Sequence, residues 1–261
     1  MSRPVVSQPA RAVLGDALEP FNPALAVVLH HALFRIGNDT TVSSARRSCL
    51  VVAPHPDDET LGAGATIMRK IDAGTPVHLL VVTDGSKSPP GDPAEVAALR
   101  AAELRAACAV LGLAPSDVTH LDFVDAELDA GDEALVSAIA GVVAAVRPAD
   151  VLVTDETDPH EDHGALGVAT RRALAGSGAR LLAYPIWQFD RPPRLVRQVR
   201  RSGRPELVST QGYLERKRAA VAAYPSQLAA HNDDTEGLTP RFLKHFVGPW
   251  EMFFPVAGAG D

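Results

Sequence analysis

Two short segments of the 261-residue chain carry side chains able to do chemistry together: His55-Pro56-Asp57-Asp58-Glu59 and His160-Glu161-Asp162-His163. Imidazole nitrogen and carboxylate oxygen are ligands for Zn²⁺ and related divalent cations. Pro56 fixes its own φ and restricts His55, which makes the first turn rigid. Adjacent carboxylates point in different directions, so Asp57 and Asp58 can divide the work, one on a metal and one on a water. In the second segment His160 and His163 are spaced to face one site at the start of a helix. A two-histidine, one-carboxylate set with an open fourth position is the pattern of a catalytic zinc site rather than a structural one. Each segment also has a plain structural reading. Asp57 or Asp58 can cap the following helix, with Glu59 favourable at its positive end, and the second segment can be a solvated acidic loop. Taken as a pair, the two segments favour the metal site.

The elements around them follow from the hydrophobic rhythm. Leu50-Val51-Val52-Ala53 is a short continuous apolar run, as expected of a strand buried on both faces. Helical spacing over Thr60–Ala73 ends at Gly74. Further strands are predicted at Val77–Val82, Val118–Phe123, Val151–Val153 and Arg180–Tyr184. Helices are predicted at Pro93–Leu111, Glu133–Val146 and His163–Ala175. Strand and helix alternate, so the expected fold class is α/β: a Rossmann-like, doubly wound, mainly parallel sheet with helices on both faces. Ligands of such sheets bind beyond the carboxyl ends of the strands, where both segments fall, together with Thr83-Asp84-Gly85 and Asp125. The final third is less regular, with a strand expected near Glu206–Gln211 and a helix over Tyr213–Tyr224. Residues 1–46 read as an N-terminal extension with one short helix in Pro23–Ile36, and 47–261 as one body.

Composition narrows the function classes. A net charge of -7 argues against a nucleic-acid surface, which shows a basic stripe. The longest apolar stretch is far short of the ~20 residues of a membrane span. Cys49 and Cys108 make no disulfide framework and read as core thiols, in keeping with a cytoplasmic protein. The run Asp57-Asp58-Glu59-Thr60-Leu61-Gly62 after the first strand is not a G-x-G-x-x-G loop, which speaks against dinucleotide binding. The Arg191–Arg204 cluster reads as a solvated face, and Trp187, Trp250 and Phe253 as packing residues. The oligomeric state is open, and a homo-oligomer is compatible with it.

Val52-Ala53-Pro54-His55-Pro56-Asp57-Asp58-Glu59 resembles the A-H-P-D-D-E signature of the PIG-L/LmbE-like deacetylases, and His160-Glu161-Asp162-His163 resembles their H-x-D-H motif. The resemblance runs from about Ser48 to the Tyr224-Pro225-Ser226-Gln227 segment; Pro54 stands where the family often has Ala. It implies zinc-dependent removal of acetyl groups from N-acetylglucosamine-type conjugates, with Zn²⁺ (or another divalent metal) held by His55, Asp58 and His163. Asp57 would be the general base. His160 would stabilise the oxyanion and help protonate the leaving amine, with Asp162 orienting His160 and keeping it cationic. Arg100, in an R-x-x-E element with Glu103, would approach the sugar or form a helix-surface salt bridge. Asp125 would lie near sugar hydroxyls, and Asp84 would form a turn or support the site. The expected partner is a small amino-sugar conjugate. Two alternatives share these residues: an amidase acting on a thiol-sugar conjugate, and a metal-dependent binding module without catalysis.

Overall fold

The computed structural model describes residues 23–229, 238–258 and 260, so the expectations for residues 1–22 and for His231 lie outside it. The chain runs α1 (Pro23–Ile36), β1 (Asn38–Asp39), α2 (Thr41–Ser44), β2 (Cys49–Ala53), α3 (Asp58–Asp72), β3 (Val77–Thr83), α4 (Pro93–Leu111), β4 (Val118–Phe123), α5 (Glu133–Val146), β5 (Asp150–Thr154), α6 (Glu161–Ala173), β6 (Arg180–Tyr184), α7 (Pro192–Ser202), β7 (Glu206–Ser209), α8 (Leu214–Val221), α9 (Pro225–Ala229), α10 (Pro240–Leu243) and β8 (Trp250–Val256).

The strands form an 8-stranded sheet in the order β1-β7-β8-β6-β5-β2-β3-β4. All neighbours are parallel except β8, which runs antiparallel to both β6 and β7. Successive strand residues point to opposite faces, and β2 shows the consequence. Cys49, Val51 and Ala53 enter one core with Leu61, Ala65 and Met68 of α3. Leu50 and Val52 enter the other with Leu135 and Ile139 of α5 and Leu166 of α6. Helices therefore cover both faces, as the sequence rhythm predicts. Chain order reverses between β2 and β5, since β3 and β4 lie on one side of β2 and β5 and β6 on the other. The crevice at that reversal is where such sheets bind ligands, and both chemistry-bearing segments leave the sheet there.

Local signals set the element ends. Asp92 caps α4 by accepting from the Ala94 and Glu95 N–H groups, and Gly112 closes it at φ 91°. Gly167 decides how closely α6 lies on the loop after β5. A Cβ there would stand 2.8 Å from the backbone at Thr154 O and Glu156 N, so glycine lets the helix carrying His163 approach.

The expected extension holds more than one short helix and is tied into the body. Asn38 and Asp39 pair with Glu206 and Leu207 of β7. The buried Lys70 Nζ donates to Ser44 O (2.6 Å) and Arg47 O (2.8 Å). His30 of α1 lies against Phe189 and meets His245, with the two Nδ1 atoms 3.0 Å apart. Cys49 and Cys108 are buried free thiols. Among the described residues, no helix is long and apolar enough to cross a membrane.

The His30–His245 pair carries a pH prediction. Burial first, then His245 and His31, hold His30 down to about 3. Burial and Arg241 hold His245 down to about 4, and Asp190 Oδ1 is 3.8 Å from His245 Nε2. Both imidazoles are thus neutral in the folded chain but bind protons in the unfolded one below the ordinary value of 6.5. Their contribution is complete above that value and drains as pH falls toward about 4 and then about 3. Melting midpoints taken from roughly pH 7.5 to 4.5 should fall more steeply for the native chain than for His30→Phe. Equal slopes would refute this.

Candidate active site

Asp57 occupies the N-cap position of α3 but makes no side-chain cap bond. The capping reading of this carboxylate therefore fails, and the side chain lines a cavity of about 170 Å³. Its φ is 128°, and it is one of few non-glycine residues with positive φ, a conformation that costs of order 1–3 kcal/mol when the surroundings impose it. Asp58 turns inward. Its Oδ2 accepts from the His55 N–H at 3.2 Å and lies 3.2 Å from His55 Nδ1 and 3.4 Å from His163 Nε2.

The other nitrogen of each imidazole also faces a carboxylate. His55 Nε2 is 3.0 Å from Asp162 Oδ2 and 3.1 Å from Asp125 Oδ1. His163 Nδ1 is 3.5 Å from Asp158 Oδ1. Asp158 is itself pinned, accepting from the N–H groups of His160, Ile186 and Trp187. The His160 and His163 rings are 4.6 Å apart at their centroids. Ligand atoms of His55, Asp125 and Asp162, and separately of His55, His160 and His163, lie within 4.8 Å of one another, so both are candidate metal-binding groups.

Residues 50–174 match the family model described as PIG-L, GlcNAc-PI de-N-acetylase. The chain carries a PIG-L family domain. It is 29% identical over 200 residues to a probable N-acetyl-alpha-D-glucosaminyl L-malate deacetylase 2 of Bacillus cereus, an alignment covering 72% of this chain and 87% of the relative. It is 35% identical over 195 residues to a 1D-myo-inositol 2-acetamido-2-deoxy-alpha-D-glucopyranoside deacetylase of Kineococcus radiotolerans, covering 57% of this chain. It spans only about half of that relative's length, 54%. The solved N,N'-diacetylchitobiose deacetylase of Pyrococcus horikoshii shares the fold, with a TM-score of 0.65, 20% identity and coverage of 92% of this chain and 94% of that one.

The PIG-L domain departs from the sequence expectations at several side chains. Asp162 does not orient His160: its carboxylate meets His55 and accepts from the Ala126 and Leu128 N–H groups at 2.8 and 3.1 Å. Residues two apart on a helix do not face each other, which explains why Asp162 turns away from its neighbour. Burial first, then the His163 and His55 imidazoles, hold His160 down to about 4, and its buried Nδ1 has no hydrogen-bond partner. The expectation that His160 is kept cationic therefore does not fit this arrangement.

Arg100 is neither a surface residue nor paired with Glu103. It is buried, donates to Pro56 O and to Ser88 O, and holds Nη2 3.5 Å from Asp57 Oδ2. Glu103 instead accepts from Ser226 N and Oγ at 2.8 and 2.6 Å. Asp125 lines the cavity, but its oxygens are taken by His55 and by the Lys87 N–H (2.8 Å). Asp84 accepts from the Ser86 N–H as a turn former and faces a separate groove between α4 and β4. Asp155 belongs to a scaffold: Gln188 Nε2 at 3.0 Å and Arg201 Nη2 at 2.7 Å occupy it. Arg201 also pairs with Glu156 at 2.6 Å, so part of the Arg191–Arg204 cluster is structural rather than solvated.

Electrostatics separates the paired carboxylates. Burial pushes Asp57 up to about 7; Arg100 pulls the other way, and the Asp58 and Glu59 carboxylates add to the rise. Burial also opposes charge on Asp58, yet His163 and His55 hold it far below the usual carboxylate range. Imidazole nitrogen with carboxylate oxygen is donor chemistry that suits a divalent cation, though Asp58 belongs to neither of the two groups whose ligand atoms all lie within 4.8 Å of one another. Neighbouring ligands about 2.0–2.1 Å from a tetrahedral zinc are roughly 3.3 Å apart, and Asp58 Oδ2 stands 3.2 and 3.4 Å from the two imidazole nitrogens. The buried His163 Nδ1 has no hydrogen-bond partner, and the carboxylate beside it is what a ligating imidazole needs on its outer nitrogen.

The cavity also draws on residues that the two motifs do not reveal. Lys87, Ser88 and Gln227 form polar wall, and Leu61, Ile186, Trp187 and Leu238 apolar wall. Trp187 is held there by stacking on Phe242 (4.5 Å, 18° between planes). The Ser-Gln segment was a usable signal for Gln227. The position of Trp187 depends on Asp158, which local pattern does not show.

Proposed function

We propose that this protein is a zinc-dependent hydrolase that removes an N-acetyl group from an amino sugar within a glycoside or glycoconjugate. The observation carrying the reading is Asp58 Oδ2 between two imidazole nitrogens, with Asp57 lining the same cavity. His55, Asp58 and His163 would hold the Zn²⁺ or a similar divalent cation. A bound zinc supplies Lewis acidity and makes water nucleophilic at neutral pH.

Asp57, beside the cavity and loosely paired with Arg100, takes the proton of the attacking water. The same proton is then available to the departing nitrogen, so acyl group and water leave as a carboxylate and the sugar as a free amine. His160 donates a ring N–H to the oxygen on which negative charge develops, a preorganised donor being effective there. Asp162 and Asp125 hold the His55 ring so that Nδ1 faces Asp58. The polar wall of Lys87, Ser88 and Gln227 suits sugar hydroxyls. Buried free thiols at Cys49 and Cys108 suit a reducing cytoplasm.

Mass spectrometry of N-acetylglucosamine conjugates incubated with the purified protein tests the reaction class. Loss of one acetyl group with appearance of a primary amine is expected. Cleavage at a different bond, as an amidase of thiol-sugar conjugates would give, or binding without any product, would overturn it.

A further inference from the structure

Asp57 is held at φ 128°, where a residue with a Cβ does not rest unaided. Its N–H donates to Glu59 Oε2 at 3.0 Å. Glu59 Oε1 in turn accepts from Tyr224 Oη at 2.6 Å and Thr60 Oγ1 at 2.5 Å. Glu59 is 0% exposed and Tyr224 1%, and neither lines the cavity. The segment bearing Tyr224 is anchored on both sides. Lys217 Nζ of α8 donates to Leu61 O of α3 at 2.7 Å. Beyond Tyr224, Ser226 is held by Glu103, and Gln227 Nε2 and Arg100 Nη1 both donate to Ser88 O at 3.0 Å.

We propose that Glu59 and Tyr224 form a buried strut that fixes the backbone of Asp57 and thereby aims its carboxylate into the cavity. Tyr224 is then a positioning residue, contributed from far along the chain, for the reaction proposed above. Only the kinetic consequence rests on that reading; the backbone restraint does not.

Two substitutions separate hydrogen bonding from packing. Tyr224→Phe keeps the ring and removes the donor. Tyr224→Leu removes the donor and the ring volume together. Exchange of the Asp57 amide should quicken roughly tenfold already in Tyr224→Phe, with little further change in Tyr224→Leu. With an amino-sugar conjugate as substrate, kcat should fall by up to about 10²-fold in Tyr224→Phe at nearly unchanged KM and metal content. Tyr224→Leu should melt lower but add little further loss of kcat. A packing role alone would leave Tyr224→Phe like the native protein and impair only Tyr224→Leu, which would overturn the proposal, as would an unchanged Asp57 exchange rate. If the native protein releases no amine, the proposed function fails, and the exchange rates alone decide the strut.

Discussion

Asp57→Asn should lower amine release by about 10²–10⁴-fold while the protein keeps its metal and its fold. The substitution preserves shape and removes the group proposed to accept the proton of the attacking water. The ligating atoms proposed here, on His55, Asp58 and His163, are untouched. The N–H of residue 57 can still donate to Glu59, so the turn keeps its restraint. Turnover at the native rate in a folded, metal-loaded Asp57→Asn protein would remove Asp57 from the proposed role. Loss of metal in the same variant would show that Asp57, not only Asp58, is a ligand.

The largest expected effect on stability lies outside the cavity, at the pair between α8 and β8. Lys217 Nζ and Glu251 Oε1 are 2.6 Å apart, with side chains 0% and 2% exposed. Glu251 also accepts from Ala65 N (2.7 Å), Thr66 N (2.8 Å) and Thr66 Oγ1 (2.6 Å) in the middle of α3. Glu251→Leu would leave a buried ammonium without a counter-charge and α3 donors without an acceptor. Breaking one side of such a pair costs about 3–5 kcal/mol, or roughly 10 °C in the melting midpoint of a chain of this size. Burial already lowers the Lys217 pKa, opposed by Glu251, so the orphaned lysine should respond in part by losing its proton. The double variant Lys217→Met/Glu251→Leu should recover part of the loss, because no charge is then stranded; the α3 donors keep recovery incomplete. A single variant melting within a degree or so of the native chain would contradict this account of α3.

Periodicity and punctuation in the sequence reveal the parallel core. Continuous apolar runs mark β2, β3, β5 and β6, and caps such as Asp92 and Gly112 mark α4. Pairing between distant segments is invisible to those signals. β1 has two residues and exists as a strand because β7 lies beside it. β8 is apolar enough to be a strand, but its antiparallel insertion between β6 and β7 is a tertiary choice.

The site divides in the same way. His55, Asp57, Asp58, His160 and His163 were legible because each motif sits at the end of a strand whose place in the sheet follows from chain order. The partners of those side chains were not. Whether Asp162 turns to His160 or to His55 depends on where the loop after β4 arrives, and Arg100 finds Pro56 O only once α4 is packed. Glu59 and Tyr224 meet across 165 residues, a separation over which no local pattern carries information.

Metal-dependent amide hydrolysis is the central claim, and acetate release by one protein preparation tests it most directly. The purified protein is assayed on an N-acetylglucosamine conjugate as isolated, after chelation, and after stoichiometric return of Zn²⁺. The account predicts acetate and free amine in equal amounts as isolated, loss of both on chelation, and recovery of both with one equivalent of metal. Acetate release that survives complete removal of metal, or a protein that binds one zinc and releases none, would contradict it.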